Sequence, residues 1–143
     1  VHPLLVKVVE TAIQCTQTDF GVVFGVRTLA EQQELFDKGA SKTMQSKHLI
    51  QDDGYSHAVD LMAYVGSRGS WELSLYDDLA DAMKIAAKEH GAHIRWGGSW
   101  TVDDIRTWEG TMEEAMNSYT DLRRSQGRRP FIDGPHFELR SLA

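Results

Sequence analysis

The sequence predicts an α+β fold, a small antiparallel sheet flanked by helices, on three observations. Apolar residues recur at helical spacing in two long segments, about 3–16 and 72–90. Short β-branched and aromatic runs, such as Val22-Val23-Phe24-Gly25-Val26, fall between the helical segments. The 143 residues contain no internal repeat, no low-complexity segment and no linker, so a single domain spanning 1–143 with one ordinary core is expected.

The elements follow in order. Pro3 suits the first turn of a helix, where its missing N–H costs nothing, and Leu5, Val8, Val9, Ala12 and Ile13 continue the apolar stripe. Cys15 lies on that stripe and is expected to be a buried small hydrophobe. Asp19 through Gly21 are expected to break the chain before a buried strand that ends at Arg27. Thr28-Leu29-Ala30-Glu31 is a capping box, opening a short helix that runs to about Lys38 and stops at Gly39. Residues 39–56 carry turn formers and little periodicity, which predicts irregular chain. From His57 to Val65 a second strand is expected, with Ala58 and Asp60 on one face and Val59 and Leu61 on the other. Gly66 to Ser70 read as a turn. In the helix that follows, Leu75, Tyr76, Leu79, Met83, Ala86 and Ala87 form the stripe and Gly91 the cap. Ala92 to Trp96 predict a third strand, a second capping box at Thr111-Met112-Glu113-Glu114 a helix to about Arg124, and Pro135 to Leu139 a last short strand.

Composition narrows the function classes. A hydrophobic share of 41% with 25% charged residues is that of a globular protein. The net charge of −6 argues against nucleic acid as a partner, because phosphate binding depends on lysine and arginine. The basic run Arg123-Arg124, Arg128-Arg129 reads as a solvated helix end and loop. A lone cysteine permits no internal disulfide and favours cytosolic synthesis. No apolar run approaches the ~20 residues that a membrane helix needs, and the first residues lack the features of a signal peptide. The chain is expected to act as a monomer without membrane insertion.

The residues that carry chemistry lie far apart in sequence. His48 in the irregular segment, Asp60 on the second strand and His136 on the last strand are a histidine, a carboxylate and a distant second histidine. Three such ligands with one position left open are what a catalytic zinc requires. An aspartate on an otherwise apolar strand is costly unless paired or bound to a cation, so Asp60 either binds metal, caps a loop or meets an arginine. His57 competes as a ligand, but it stands an odd number of residues from Asp60 and so faces the other side of a strand. His2, His90 and His93 have no acidic or histidine neighbour at useful spacing. Asp133, three residues before His136, is a candidate base for a metal-activated water, or else simply part of a turn. Arg27, just past a strand end, could grip a substrate carboxylate or stabilise an oxyanion; its plain alternative is a surface salt bridge. Glu138 faces the same way as His136 and could orient it.

These residues sit in recognisable words. Ser46-Lys47-His48 with Ala58-Val59-Asp60-Leu61 resembles the signature Ser-x-His-x-x-Gly-x-Ala-x-Asp of the zinc D-Ala-D-Ala carboxypeptidase and L-alanyl-D-glutamate peptidase family, which shares its fold with the hedgehog signalling domain. Val26-Arg27-Thr28 with Glu31-Gln32 is similar to the family's arginine segment. Trp96-Gly97-Gly98-Ser99-Trp100 resembles its Trp-Gly-Gly-x-Trp motif, and Asp133-x-Pro135-His136-Phe137-Glu138 its closing motif. The resemblance implies zinc held by His48, Asp60 and His136, with Asp133 as catalytic base. It implies that Arg27 polarises the scissile carbonyl or grips substrate, and that Ser46 lies beside the site; Ser46, Trp96 and Glu138 are expected to touch substrate or to support the ligands. The implied substrate is the peptide stem of bacterial peptidoglycan, and the implied setting is a phage endolysin that waits in the host cytoplasm until the membrane is breached. Two activities compete, an endopeptidase cutting L-Ala–D-Glu and a carboxypeptidase removing terminal D-Ala. A non-catalytic wall-binding module of the same fold is the alternative of a different class, and the pair Asp133 and His136 speaks against it. The sequence departs from the family in two ways: eleven residues, Leu49 to Val59, separate His48 from Asp60 where six are usual, and Ser56 replaces a glycine. Loop length costs little, so an insertion accounts for both. The segment 101–132 also reads as an insertion, a lid or a wall-contacting helix.

Overall fold

The computed structural model describes residues 1–41 and 43–140. Lys42 and the last three residues of the expected 1–143 domain lie outside them. In chain order the elements are α1 (Pro3–Cys15), β1 (Asp19–Phe24), α2 (Leu29–Asp37), β2 (Ala58–Val65), β3 (Arg68–Ser70), α3 (Leu73–His90), β4 (Ile94–Trp96), α4 (Met112–Ser125) and β5 (His136–Leu139), with a 3-10 turn at Ile105–Thr107. The sheet order is β1-β2-β5-β4, every pair antiparallel, and β3 folds back on β2. The expected class is found: an antiparallel sheet flanked by helices.

The last strand to be made sits in the middle of the sheet. Its register sets Asp60 opposite His136 and Ala58 opposite Glu138. Residues opposite one another on antiparallel strands share a face, so the polar residues of β2 and β5 gather on one side. The other side carries Val59, Leu61, Ala63, Phe137 and Leu139, all in the core. Against them pack Leu5, Val8 and Ala12 of α1 and Tyr76, Leu79, Met83 and Ala86 of α3. One face of the sheet is thus apolar and helix-covered, and the opposite face is free for chemistry.

Helix ends follow local rules. Thr28 and Thr111 each accept a bond from the backbone N–H three residues on, and Glu31 and Glu114 return it, so both capping boxes form as the sequence predicts. Gly91 ends α3 in the left-handed conformation, φ 63°. The segment expected as an insertion is tied to α3: Asp81 accepts from the Met112 N–H, and the buried Lys84 ammonium donates to the carbonyls of Trp108 and Gly110. Ile105, Met112 and Ala115 join the main core, so this segment is part of the body of the domain.

Three expectations are corrected. β1 is an edge strand, not a buried one: Val22 is 50% and Phe24 59% exposed, and Phe20 is its buried residue. It begins at Asp19, so the residues expected to break the chain belong to it. Edge strands lack a neighbour on one side, and both large helices here pack under β2 and β5, leaving one face of β1 bare. Gly66–Ser70 is more than a turn, since Arg68–Ser70 pairs with β2 as β3. Cys15 is exposed, because it is the last residue of α1 where the helix leaves the core.

Candidate metal centre

The polar face of β2 and β5 supplies two of the three candidate ligands, and a loop brings the third. His48 is fixed from β1's continuation: its carbonyl accepts from the Arg27 N–H at 2.8 Å, and its Nδ1 lies 2.8 Å from the Gly25 carbonyl. A carbonyl only accepts, so Nδ1 carries a proton and Nε2 is the nitrogen left to face Asp60 and a metal. That Nε2 lies 3.2 Å from Asp60 Oδ1. On the other side His136 Nδ1 lies 3.3 Å from the same oxygen, while its Nε2 lies 2.8 Å from Glu138 Oε1. The histidines therefore offer opposite ring nitrogens to one point, each with its far nitrogen held by an oxygen, the arrangement expected of metal-ligating histidines.

The spacing suits a small tetrahedral cation. Bonds of about 2.0–2.1 Å at tetrahedral angles put neighbouring donors roughly 3.3 Å apart, and Asp60 stands 3.2 and 3.3 Å from the two nitrogens. All three donor atoms lie within 4.8 Å of one another. His48, Asp60 and His136 form the group of the described residues that could hold a metal ion. Two histidines and a carboxylate favour zinc or a similar transition metal over calcium or magnesium, which prefer oxygen alone.

Charge in the site is matched. Burial pushes the Asp60 carboxyl up, but the hydrogen bonds from His136 and His48 outweigh it and hold it well below the usual carboxylate range. Burial likewise opposes charge on His136, yet the carboxylates of Asp60 and Glu138 hold its imidazole up at about 9. Glu138 is lowered, its burial outweighed by His136 and by Arg140, whose Nη1 donates to Glu138 Oε2 at 3.2 Å. Asp133 goes the other way: burial raises it, the negative charge of Asp60 adds to this, and the positive charges of His136, His48 and Arg27 do not reverse it. Its carboxylate takes no hydrogen bond from the described residues.

A groove of about 580 Å³ contains these groups; Arg27, Ser46, His48, Asp60, Asp133, His136 and Glu138 all line it. Arg27 is braced by Gln32: its Nη1 donates to Gln32 Oε1 at 2.7 Å, and the fully buried Gln32 amide is pinned in turn by Ser41 Oγ at 2.8 Å. Ser46 Oγ accepts the His48 N–H at 3.1 Å and so shapes the loop that carries the ligand. Trp96 lies behind the groove, fully buried, donating its indole N–H to the Gly134 carbonyl at 2.7 Å. His57 points away, its Nε2 2.7 Å from Asp53 Oδ2, as strand parity requires. His2 and His93 do find acidic neighbours, Asp53 and Asp103, outside the groove. The eleven-residue stretch after His48 makes a small excursion closed by an Ile50–Ser56 bridge, so both ends return to the site in place.

Sequence reasoning gave Trp100 no role beyond its motif and passed over Phe131 and Arg140; all three also line the groove. Arg140 was within reach, because 136, 138 and 140 share one face of a strand. Trp100 and Phe131 meet only through tertiary packing, their rings 6.1 Å apart.

The L-alanyl-D-glutamate peptidase of Escherichia phage T5 is 29% identical over 143 residues, covering 97% of this chain and 88% of its own length. The crystal structure of the Serratia marcescens L-Ala D-Glu endopeptidase ChiX superposes with a TM-score of 0.70 at 31% identity, covering 98% of this chain and 80% of that one. Residues 1–140 match the family model of the phage L-alanyl-D-glutamate peptidases, and the chain belongs to that family.

Proposed function

We propose that the protein is a zinc-dependent endopeptidase that cuts the L-Ala–D-Glu bond in the peptide stem of bacterial peptidoglycan, and that residues 1–143 act as one catalytic domain and as a monomer. The observation that carries the reading is the convergence of His48 Nε2 and His136 Nδ1 on Asp60 Oδ1 beside Asp133, in a chain of this family. His48, Asp60 and His136 hold the metal. Zinc, when bound, supplies the Lewis acidity that polarises a carbonyl and brings the pKa of water to about 7. Asp133 is the base: its carboxylate faces the groove and takes the proton of the attacking water, then returns it to the departing amine of D-Glu. Raising by burial suits it to both halves of that transfer. Arg27, fixed by Gln32, turns its remaining N–H donors on the substrate oxygen. Glu138 orients His136, Ser46 shapes the His48 loop, and Trp96 supports the loop from Asp133 to His136.

The family and both relatives favour L-Ala–D-Glu over terminal D-Ala. No helix among the described residues is long and apolar enough to cross a membrane, and the phage family suits an endolysin made in the host cytoplasm that reaches the wall after membrane breach. The test is digestion of purified peptidoglycan followed by mass spectrometry. New N-terminal D-Glu is expected, abolished by chelator and restored by zinc; released D-Ala, or cleavage that chelator leaves intact, overturns the reading. Asp133→Ala is expected to keep its zinc and lose cleavage by a factor of about 10²–10⁴.

A further inference from the structure

Beside the metal groove lies a second hollow, of about 340 Å³, lined by Trp100, Tyr119, Arg123, Arg129 and Phe131. The two adjoin at Trp100 and Phe131, which line both. Trp100 forms the threshold: its ring is 5.6 Å from that of His136 on one side and stacks on Phe131 on the other. It is held from behind by Arg95, whose guanidinium lies 4.9 Å from the ring centre and donates twice to the Trp100 carbonyl. Tyr119 is fixed as well, its hydroxyl donating to the Phe131 carbonyl at 2.9 Å. The floor of the hollow is thus a set of aromatic rings in fixed positions, one ring away from a candidate ligand.

Its charges are uncommitted. The half-buried guanidinium groups of Arg27, Arg95 and Arg106 all donate to an acceptor: the Gln32 amide, the Trp100 carbonyl and the Asp104 carboxylate. Arg123 is also half-buried, but among the described residues it has only the face of Tyr119, 5.6 Å away. Arg129, which also lines the hollow, is exposed and has no hydrogen bond or ion pair among the described residues. Half-burying the Arg123 guanidinium without an acceptor is unfavourable, and this chain, with 21 acidic against 15 basic residues, had acids to spare. Two guanidinium forks without acceptors, lining one hollow with these rings, form a receptor for a planar anion, which guanidinium binds through paired N–H donors.

We propose that Arg123 and Arg129, over the Trp100–Phe131–Tyr119 floor, form a subsite for the carboxylates of the substrate peptide on the D-Glu side of the scissile bond. The inference rests on the substrate proposed above. That substrate is electrically lopsided: the D-Glu side carries free carboxylates, at the glutamyl residue and at the stem's C-terminus, whereas the L-Ala side is joined to neutral glycan. A cationic hollow on one flank of the metal therefore sets the direction in which the stem lies. The segment that supplies Tyr119, Arg123, Arg129 and Phe131 is the 101–132 stretch. Its role is then to read charge, not to close over the site.

The test uses the zinc-loaded full chain and two synthetic stem peptides, one with its carboxylates free and one with them amidated. For the wild type, KM is expected to be lower on the acidic peptide, with cleavage confirmed by a new N-terminal D-Glu on that peptide and a new N-terminal amidated D-Glu on the other. In Arg123→Gln/Arg129→Gln, KM on the acidic peptide is expected to rise about tenfold, the loss of charge-assisted bonds, with kcat held within about twofold. On the amidated peptide the variant should match the wild type, which also shows that it is folded. An unchanged KM on the acidic peptide overturns the subsite, as does an equal rise on both peptides. A defect seen only on whole walls that retain anionic polymer, and not on the acidic peptide, overturns it too. If the wild type cleaves neither peptide between L-Ala and D-Glu, it is the function proposed above that has failed.

Discussion

At the scale of single residues, His136 decides how the site responds to pH. Its Nδ1 and Nε2 each face a carboxylate oxygen, at 3.3 and 2.8 Å, so the metal-free ring keeps both protons. With an unfolded value of 6.5 and a folded value of about 9, this charge stabilises the metal-free fold fully below 6.5, and that stability is lost as pH rises through about 9. A cation at Nδ1 must first displace that proton. Zinc affinity of the metal-free protein is therefore expected to climb roughly tenfold per pH unit between about pH 7 and 9. Competition titration against a chelating dye measures this, and a flat profile over that interval shows that His136 is neutral before metal arrives. Glu138 acts through the same ring. Glu138→Gln keeps a hydrogen-bond acceptor at Nε2 but removes the charge, so it should lower metal affinity about 10- to 100-fold and flatten the pH dependence together.

At the scale of elements, the turn after β4 explains the glycines of the Trp-Gly-Gly-x-Trp motif. Gly97 donates its N–H to the His136 carbonyl, and its own carbonyl accepts from the Asp133 N–H, each at 2.8 Å. A Cβ on Gly97 would overlap the Asp133 carbonyl, and one on Gly98 would overlap the Trp96 indole. Gly97→Ala is expected to push Asp133 out of place while leaving the ligands alone, so kcat falls at least about tenfold with zinc content unchanged. Loss of zinc along with activity would show that the turn positions the ligands instead. The buried Lys84 does a comparable task for the segment before α4, and Lys84→Met should cost about 1–3 kcal/mol in chemical denaturation by orphaning two carbonyls. Elements such as α3 and both capping boxes were legible in the sequence because periodicity and cap chemistry are local. The exposure of β1 was not, since it depends on which strands the helices cover, and Val22 and Phe24 look the same in either setting.

At the scale of the whole molecule, the candidate metal triad was legible and the walls of its groove were not. His48, Asp60 and His136 stand in short motifs whose residue types carry their own chemical meaning. The shelf of Trp100, Phe131, Arg123 and Arg129 exists only because α4 packs on α3 and turns the chain back towards β5. That same packing buries Asp77 of α3, which is 7% exposed and whose Oδ1 has no hydrogen-bond partner among the described residues. Burial raises its carboxyl to about 6, and the like charges of Glu113, Asp81 and Asp78 add to the shift. The sign is opposite to that of Asp60, Asp103, Asp104 and Glu138, whose lowered values stabilise the fold at neutral pH and lose that contribution in acid. Between 3.8 and about 6 the folded protein binds a proton at Asp77 that the unfolded chain does not, so this group withdraws stability as pH rises through that window. Asp77→Asn removes the charge at nearly constant shape. Its stability advantage over the wild type is expected to grow from pH 3.8 to about 6 and then stay level, reaching on the order of 1–2 kcal/mol. Thermal unfolding of the metal-free pair across that range measures the difference, and a variant that loses stability at neutral pH would show that the carboxylate holds α3 and α4 together instead of straining them.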